Sequence, residues 1–216
     1  MSDFKILVLI SGKGSNLISL HEHADRYNIS AVISNNPTAE GLLYAKKHKI
    51  PVYPFSRSDF SSMSTFKDAI YREALQLEPD LVVLAGFMQI IQPQFVEAFY
   101  GRMINIHPAL LPKFPGLDTH TRAVAAKEPT HGCTVHFVNT GIDSGPIIAQ
   151  AECALSVEDT PESAAAKVLK EEHRVYPWVV KNIASGDISL VEDKVLYSPN
   201  LRRDAALKGF KIGQSL

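Results

Sequence analysis

The sequence predicts an α/β fold: a mostly parallel sheet with helices on both faces, with strands and one long helix added at the C-terminal end. Three observations lead there. Apolar runs such as Phe4–Ile10 and Leu81–Ala85 barely alternate, as strands buried on both faces do. Helix-length patterns separate the strand-like runs through residues 1–100, so each return to the sheet is a crossover and its neighbours are parallel. Beyond that point the order changes to two strand patterns in succession and then a single long helical pattern.

The elements follow in order. Phe4–Ile10 is the first strand, and Ser11-Gly12-Lys13-Gly14-Ser15-Asn16 is a turn. A helical pattern runs from Asn16 to Tyr27, Ser30–Ser34 is a strand, Ala39–His48 a helix and Pro51–Phe55 a short strand. Phe66–Leu77 is helical, and Pro79-Asp80 leads into Leu81–Ala85. Pro93–Phe99 reads as a short helix and Met103–His107 as the next strand. His131–Val138 and Ile147–Ala154 are strands joined by the turn-rich Asn139–Pro146, a hairpin-like pair at the sheet edge. Thr160 as N-cap and Pro161 in the first turn start a helix that reaches Ile183, with a kink expected at Pro177. Asp187–Val191 and Val195–Tyr197 suggest a terminal hairpin, and Arg202–Leu216 a loosely held tail. No repeat, low-complexity tract or linker intervenes. One Rossmann-like domain over residues 1–216 is expected, with 1–100 its nucleotide- or phosphate-binding half.

Composition narrows the function. A net charge of −1 lacks the basic excess of a nucleic-acid footprint. Apolar residues make up 45% of the chain, ordinary for a soluble globular protein, and no apolar run approaches membrane-spanning length. Cys133 and Cys153 are too few for a disulfide framework and read as core thiols of a reducing compartment. Met1-Ser2-Asp3-Phe4-Lys5 leads straight into a strand, without a leader's basic region, long apolar stretch and cleavage site. A cytoplasmic protein with no nucleic-acid or membrane partner is expected.

The chemistry concentrates in Met103-Ile104-Asn105-Ile106-His107-Pro108. In a strand, Asn105 and His107 share a face, and Pro108 keeps His107 extended. A carboxamide can donate to a developing oxyanion. An imidazole can do so too and can also move a proton near neutral pH. Open α/β sheets bind ligands at the C-terminal ends of their strands. Equally, a strand-end Asn can cap a turn, and a lone His can be structural. The turn Ser11–Asn16 stands where free backbone N–H groups and a helix dipole favour an anion. It is neither a dinucleotide fingerprint, since Leu17 takes the third glycine's place, nor a Walker loop. Position leaves phosphate binding and a plain strand-to-helix turn both open. Asp143, in Gly141-Ile142-Asp143-Ser144-Gly145-Pro146, is either an Asx-turn residue or a carboxylate partner for His107. Glu172 falls on the apolar stripe Ala165, Val168, Leu169, Tyr176, Val179, Val180 and Ile183, where a carboxylate needs a basic partner or a polar ligand. His107, His120, His131 and His136 form no recognised metal-ligand pair, so no metal site is expected.

Asn105-Ile106-His107-Pro108-Ala109-Leu110-Leu111-Pro112 resembles the signature of the formyltetrahydrofolate-dependent formyltransferases. Ser11–Asn16, Leu84-Ala85-Gly86-Phe87-Met88 and Asp143-Ser144-Gly145-Pro146 narrow the resemblance to the member that serves purine biosynthesis, in order and over nearly the whole chain. The resemblance implies transfer of a formyl group from the co-substrate 10-formyltetrahydrofolate to the amine of glycinamide ribonucleotide, the third step of the de novo route to IMP, without a metal. It implies a catalytic triad of Asn105, His107 and Asp143. It places Gly14, Ser15 and Asn16 on the substrate phosphate, and Leu169, Lys170, Glu171 and Glu172 in the same substrate's site. It lines the folate site with Met88, Gln89, Ile90, Ile91, Asn105, Asn139, Thr140, Gly141, Ile142 and Asp143. Residues 101–216 thereby become the catalytic and folate-binding half, in a monomer or weak homodimer. Three positions depart from the pattern. Met63 and Gln89 stand where some relatives carry arginine near the folate, and Asp118 where some carry a second histidine.

Rival expectations differ in testable ways. A formyltransferase acting on initiator methionyl-tRNA calls for an RNA-binding module and a basic surface. A formyltetrahydrofolate hydrolase would use the same triad on water and normally carries a further N-terminal domain. A nucleotide-binding sensor would leave the triad structural.

Overall fold

The computed structural model describes residues 4–213. The chain forms two compact units, Met1–Ile104 and Asn105–Leu216.

In the first unit β1 (Lys5–Ile10), α1 (Ser15–Glu22), β2 (Asn28–Ser34), α2 (Glu40–Lys47) and β3 (Val52–Pro54) wind outward. A short 3₁₀ turn (Arg57–Asp59) and α3 (Met63–Gln76) lead back to β4 (Leu81–Leu84), followed by α4 (Pro93–Ala98). The strand order is β3-β2-β1-β4, and every pairing among them is parallel. Ile6 to Ile10 and Leu81 to Val83 are fully buried, which is why these runs carry no polar alternation. After β1 the chain builds to one side through β2 and β3, then crosses to the other side at β4. Between β1 and β4 lies a topological switch point, where open sheets of this kind bind ligands.

α1 ends at Glu22 rather than running to Tyr27, because the next strand starts earlier than its apolar residues announce. Asn28 already pairs with Lys5, and Tyr27 turns inward to donate its hydroxyl to Leu20 O at 2.8 Å. α3 begins ahead of Phe66 because Ser62 and Thr65 form a reciprocal capping box. Met63 therefore lies in the first turn of α3 and is exposed.

The second unit takes over within β5 (Met103–His107) and adds α5 (Thr119–Ala125), β6 (Thr130–Phe137), β7 (Ile147–Ala154) and α6 (Pro161–Ala184). β8 (Ile188–Val191), β9 (Lys194–Tyr197), α7 (Leu201–Leu207) and β10 (Phe210–Ile212) complete it. β6 and β7 are antiparallel, as their short connection demands, and α6 packs across both. Thr160 caps α6 through a capping box with Ser163, and the helix runs through Pro177 without being broken. β8 and β9 form a separate hairpin that is not terminal.

Two expectations fail here. β7 is not an edge strand, and residues 201–213 are not a loose tail. β10 pairs antiparallel with β7, Phe210 opposite Ala151, and covers an edge that would otherwise present unpaired backbone groups. Phe210 is buried against Trp178, whose indole N–H donates to Asp204 Oδ2 on α7 at 2.6 Å. The alternation in Phe210-Lys211-Ile212 was the available signal, too short to stand out. Met1–Asp3 and Gln214–Leu216, parts of the expected strand lead-in and tail, lie outside the described residues. Among the described residues no helix is long and apolar enough to cross a membrane.

Candidate active site

β5 delivers Asn105 half-buried and His107 almost fully buried at its end, two residues apart as the strand period requires. Immediately after, Ala109 N donates to His107 O at 2.8 Å, so the chain turns sharply at Pro108. Thr134 on β6 pins the turn by donating to Ala109 O at 2.7 Å and accepting from Leu111 N at 3.0 Å.

The structure brings His107 and Asp143 together. His107 Nδ1 lies 3.3 Å from Asp143 Oδ2, and Nε2 lies 2.9 Å from the carbonyl oxygen of Phe114. Both ring nitrogens face acceptors, an arrangement that only the doubly protonated ring satisfies with two donations. Asp143 Oδ2 also accepts from Gly116 N at 2.8 Å. The Asx-turn that could have claimed Asp143 belongs instead to Asn139, whose Oδ1 accepts from Gly141 N and Ser144 Oγ, each at 3.1 Å. With Asn139 holding the turn, Asp143, at φ 46°, is directed to the histidine.

His136 is the group that sequence reasoning missed. Its Nδ1 lies 2.8 Å from Phe137 O, which only accepts, so the neutral ring carries its proton there. Nε2 is then an acceptor, and Asn105 Nδ2 lies 3.3 Å from it. Burial holds the His136 pKa below the usual value, against the opposing pull of Phe137 O and Asp143. The contact orients the Asn105 carboxamide: one N–H is directed to His136 and the second is left for a ligand. A register shift between Val135 and His136 re-aims this side chain, which no simple strand period anticipates. A further pair, His120 Nδ1 and His131 Nε2, lies 3.1 Å apart. Burial, then the His120 and His107 imidazoles, push His131 down to about 4. A cavity of about 290 Å³ borders His131, Phe114, Glu128 and Glu152, but none of Asn105, His107 and Asp143 lines it.

On α6 the four expected residues separate. Glu172 is buried, whereas Leu169 and Lys170 are exposed, and Glu171 pairs with Arg174 at 2.5 Å. Glu172 lies close enough to Cys133 and Tyr176 that its charge, after burial, raises the pKa of both. Glu172 stands among the buried residues of α6, as the stripe predicts, whereas Leu169, expected on the same stripe, is exposed.

In the first unit Gly14, at φ 75°, is the N-cap of α1 and supplies no side chain to cap it. A helix N-terminus without a side-chain cap is a place where backbone N–H groups and the helix dipole favour an anion. Ser15 is half-buried and Asn16 buried. Ser11 Oγ accepts from Met88 N at 2.7 Å and donates to Asn35 Oδ1 at 2.6 Å, tying the loop to the segment Met88–Ile91. Met88 and Ile90 are exposed, Gln89 and Ile91 half-buried. In the second unit Thr140, Gly141 and Ile142 are exposed. Asp118 is the left-handed N-cap of α5, two residues before His120.

A family model described as formyl transferase matches residues 4–180. The phosphoribosylglycinamide formyltransferase of Haemophilus influenzae is 42% identical over 197 residues, covering 89% of this chain and 92% of the relative. That of Escherichia coli is 40% identical and covers 87% of this chain and 91% of the relative. The solved structure of the Coxiella burnetii phosphoribosylglycinamide formyltransferase superposes with a TM-score of 0.85 at 40% identity, covering 90% of this chain and 93% of that one.

Proposed function

The chain belongs to the formyl transferase family, and on that premise we propose that it moves a formyl group from 10-formyltetrahydrofolate to the amine of glycinamide ribonucleotide. The observation that carries the reading is the cluster of Asn105, His107 and Asp143 in a chain that matches these relatives almost end to end.

The chemistry follows from the donors. The substrate amine attacks the formyl carbon, and negative charge grows on the formyl oxygen. The second N–H of Asn105 Nδ2 and the Nε2–H of His107 are the donors for that oxygen. Phe114 O holds the Nε2–H at 2.9 Å, but an oxyanion is the stronger acceptor and takes it over. Asp143 stabilises the imidazolium, which then helps pass a proton to the departing folate nitrogen while the attacking amine loses one. No step needs a metal. Gly14, Ser15 and Asn16 are assigned to the ribonucleotide phosphate, at the N-terminus of α1, which has no side-chain cap. Glu172, with Leu169, Lys170 and Glu171 around it, is assigned to the rest of that substrate. Met88–Ile91 and Asn139–Asp143 are assigned to the folate.

The test is formyl release from 10-formyltetrahydrofolate with and without glycinamide ribonucleotide. Release that requires the amine and yields the formylated ribonucleotide is expected. Release at the same rate without the amine would mean a hydrolase, and no release under either condition would mean a sensor.

A further inference from the structure

The loop Ser11–Asn16 is backed by a second glycine on another element. Gly41 is buried in the first turn of α2, and its N–H donates to Gly12 O at 3.1 Å. A Cβ at Gly41 would lie 3.0 Å from Gly14 Cα and 2.6 Å from Ile10 Cδ1. A Cβ at Gly14 would lie 2.7 Å from Gly41 Cα. Backbone thus rests on backbone, with no side chain between them.

Glycine at 41 is not explained by its own conformation. Its φ is not among the positive values, and alanine is the better helix former at such a position. The neighbour explains it. We propose that Gly41 is a positioning residue for the phosphate loop: the bare Cα of Gly41 sets how deeply Gly14 sits. It thereby sets where the first-turn N–H groups of α1 point. This rests on reading the loop as the ribonucleotide phosphate site.

The two close contacts of an added methyl differ in kind. Ile10 Cδ1 is the far end of a side chain and can turn away. Gly14 Cα is backbone at a left-handed position and moves only if the loop moves with it. A shift of a few tenths of an ångström there misdirects donors whose effect depends on aim.

The experiment compares Gly41→Ala, Ile10→Val and the double variant Ile10→Val/Gly41→Ala with the unchanged protein and with Gly14→Val. Full steady-state kinetics in both substrates and thermal unfolding are measured for each. Ile10→Val removes Cδ1 and so relieves the core contact while leaving the Gly14 contact in place. Gly41→Ala is expected to raise the KM for glycinamide ribonucleotide roughly tenfold, with kcat and the folate KM within about twofold. The double variant should recover thermal stability and keep the raised KM; Ile10→Val alone should resemble the unchanged protein. A KM that returns to normal in the double variant would overturn the proposal, because the effect would then pass through the core. So would an unchanged KM in Gly41→Ala beside a raised one in Gly14→Val, which leaves the loop reading standing. Unchanged KM in both would remove the loop reading and the proposal with it. Failure of both Gly41 variants to fold would assign the glycine to core packing and overturn the positioning role.

Discussion

Replacing Asp143 by asparagine isolates the charge on which the proposed chemistry depends. The shape can be kept. Asp143 Oδ2 serves Gly116 N at 2.8 Å and His107 Nδ1 at 3.3 Å, while Oδ1 lies 3.8 Å from His136 Nε2, an acceptor. An asparagine with its oxygen in the Oδ2 place still accepts from Gly116 N and His107 Nδ1, and its NH₂ lies beyond hydrogen-bond reach of His136 Nε2, which already accepts from Asn105. The left-handed backbone, φ 46°, also accommodates Asn. The fold of the turn should therefore hold, and any loss of stability should come from the missing charge rather than from the shape. The charge is what goes. Unit charges 3.3 Å apart interact by roughly 5 kcal/mol at an effective dielectric of 20. Both side chains are largely withdrawn from water, so desolvation has already consumed part of that; a net of about 3 kcal/mol corresponds to roughly two orders of magnitude in rate. The assay is kcat for formyl transfer with both substrates saturating, alongside thermal unfolding and the ¹⁵N shifts of the His107 ring. Turnover should fall about a hundredfold, the melting temperature should drop by no more than the lost charge accounts for, and the ¹⁵N shifts of the His107 ring should change. A variant that melts normally, turns over within about threefold and keeps the same His107 spectrum would refute the coupling, and Asp143 would leave the catalytic assignment.

Two other expectations come from single residues. Gly14→Val puts a branched side chain at φ 75° with its Cβ 2.7 Å from Gly41 Cα, so ribonucleotide affinity should fall while folate affinity holds; equal weakening of both by calorimetry would make the loop merely structural. His131 is held neutral in the fold, its pKa pushed from 6.5 down to about 4. The unfolded chain takes up a proton there that the folded protein refuses. The stability at stake is fully present above the unfolded value and is lost as pH falls toward the folded one, up to about 3 kcal/mol. His131→Gln should flatten the pH dependence of urea unfolding across that window, and a curve parallel to the unchanged protein's would count against it.

What the sequence made legible was local. Asn105 and His107 share a face because a strand repeats every two residues, and α6 is announced by Thr160, Pro161 and its stripe. The buried strands of the first unit needed only their unbroken apolar runs. α5 escaped because its seven residues bury only Thr119 and Ala123, too few to set a period. β10 and α7 escaped because their burial depends on Trp178 and β7, elements distant in the chain. His136 escaped for the same reason. It stands 31 residues from Asn105, and only the folded chain joins the two.

The turn between β6 and β7 shows why such gaps matter for function. Asn139 and Asp143 are both residue types that hold Asx-turns, so either could be structural and either could be chemical. The fold divides the work by placing Asn139 Oδ1 on the backbone N–H of Gly141 and the hydroxyl of Ser144. Asp143 is then not needed for the shape of its own turn, and its carboxylate goes to Gly116 N and His107 Nδ1. Gly116 and Phe114 belong to the stretch that leaves β5 after His107, so the imidazole is held between its own downstream backbone and the far turn. That arrangement explains why a carboxylate rather than a carboxamide stands at 143. The turn would accept either, and only the histidine distinguishes them, through charge.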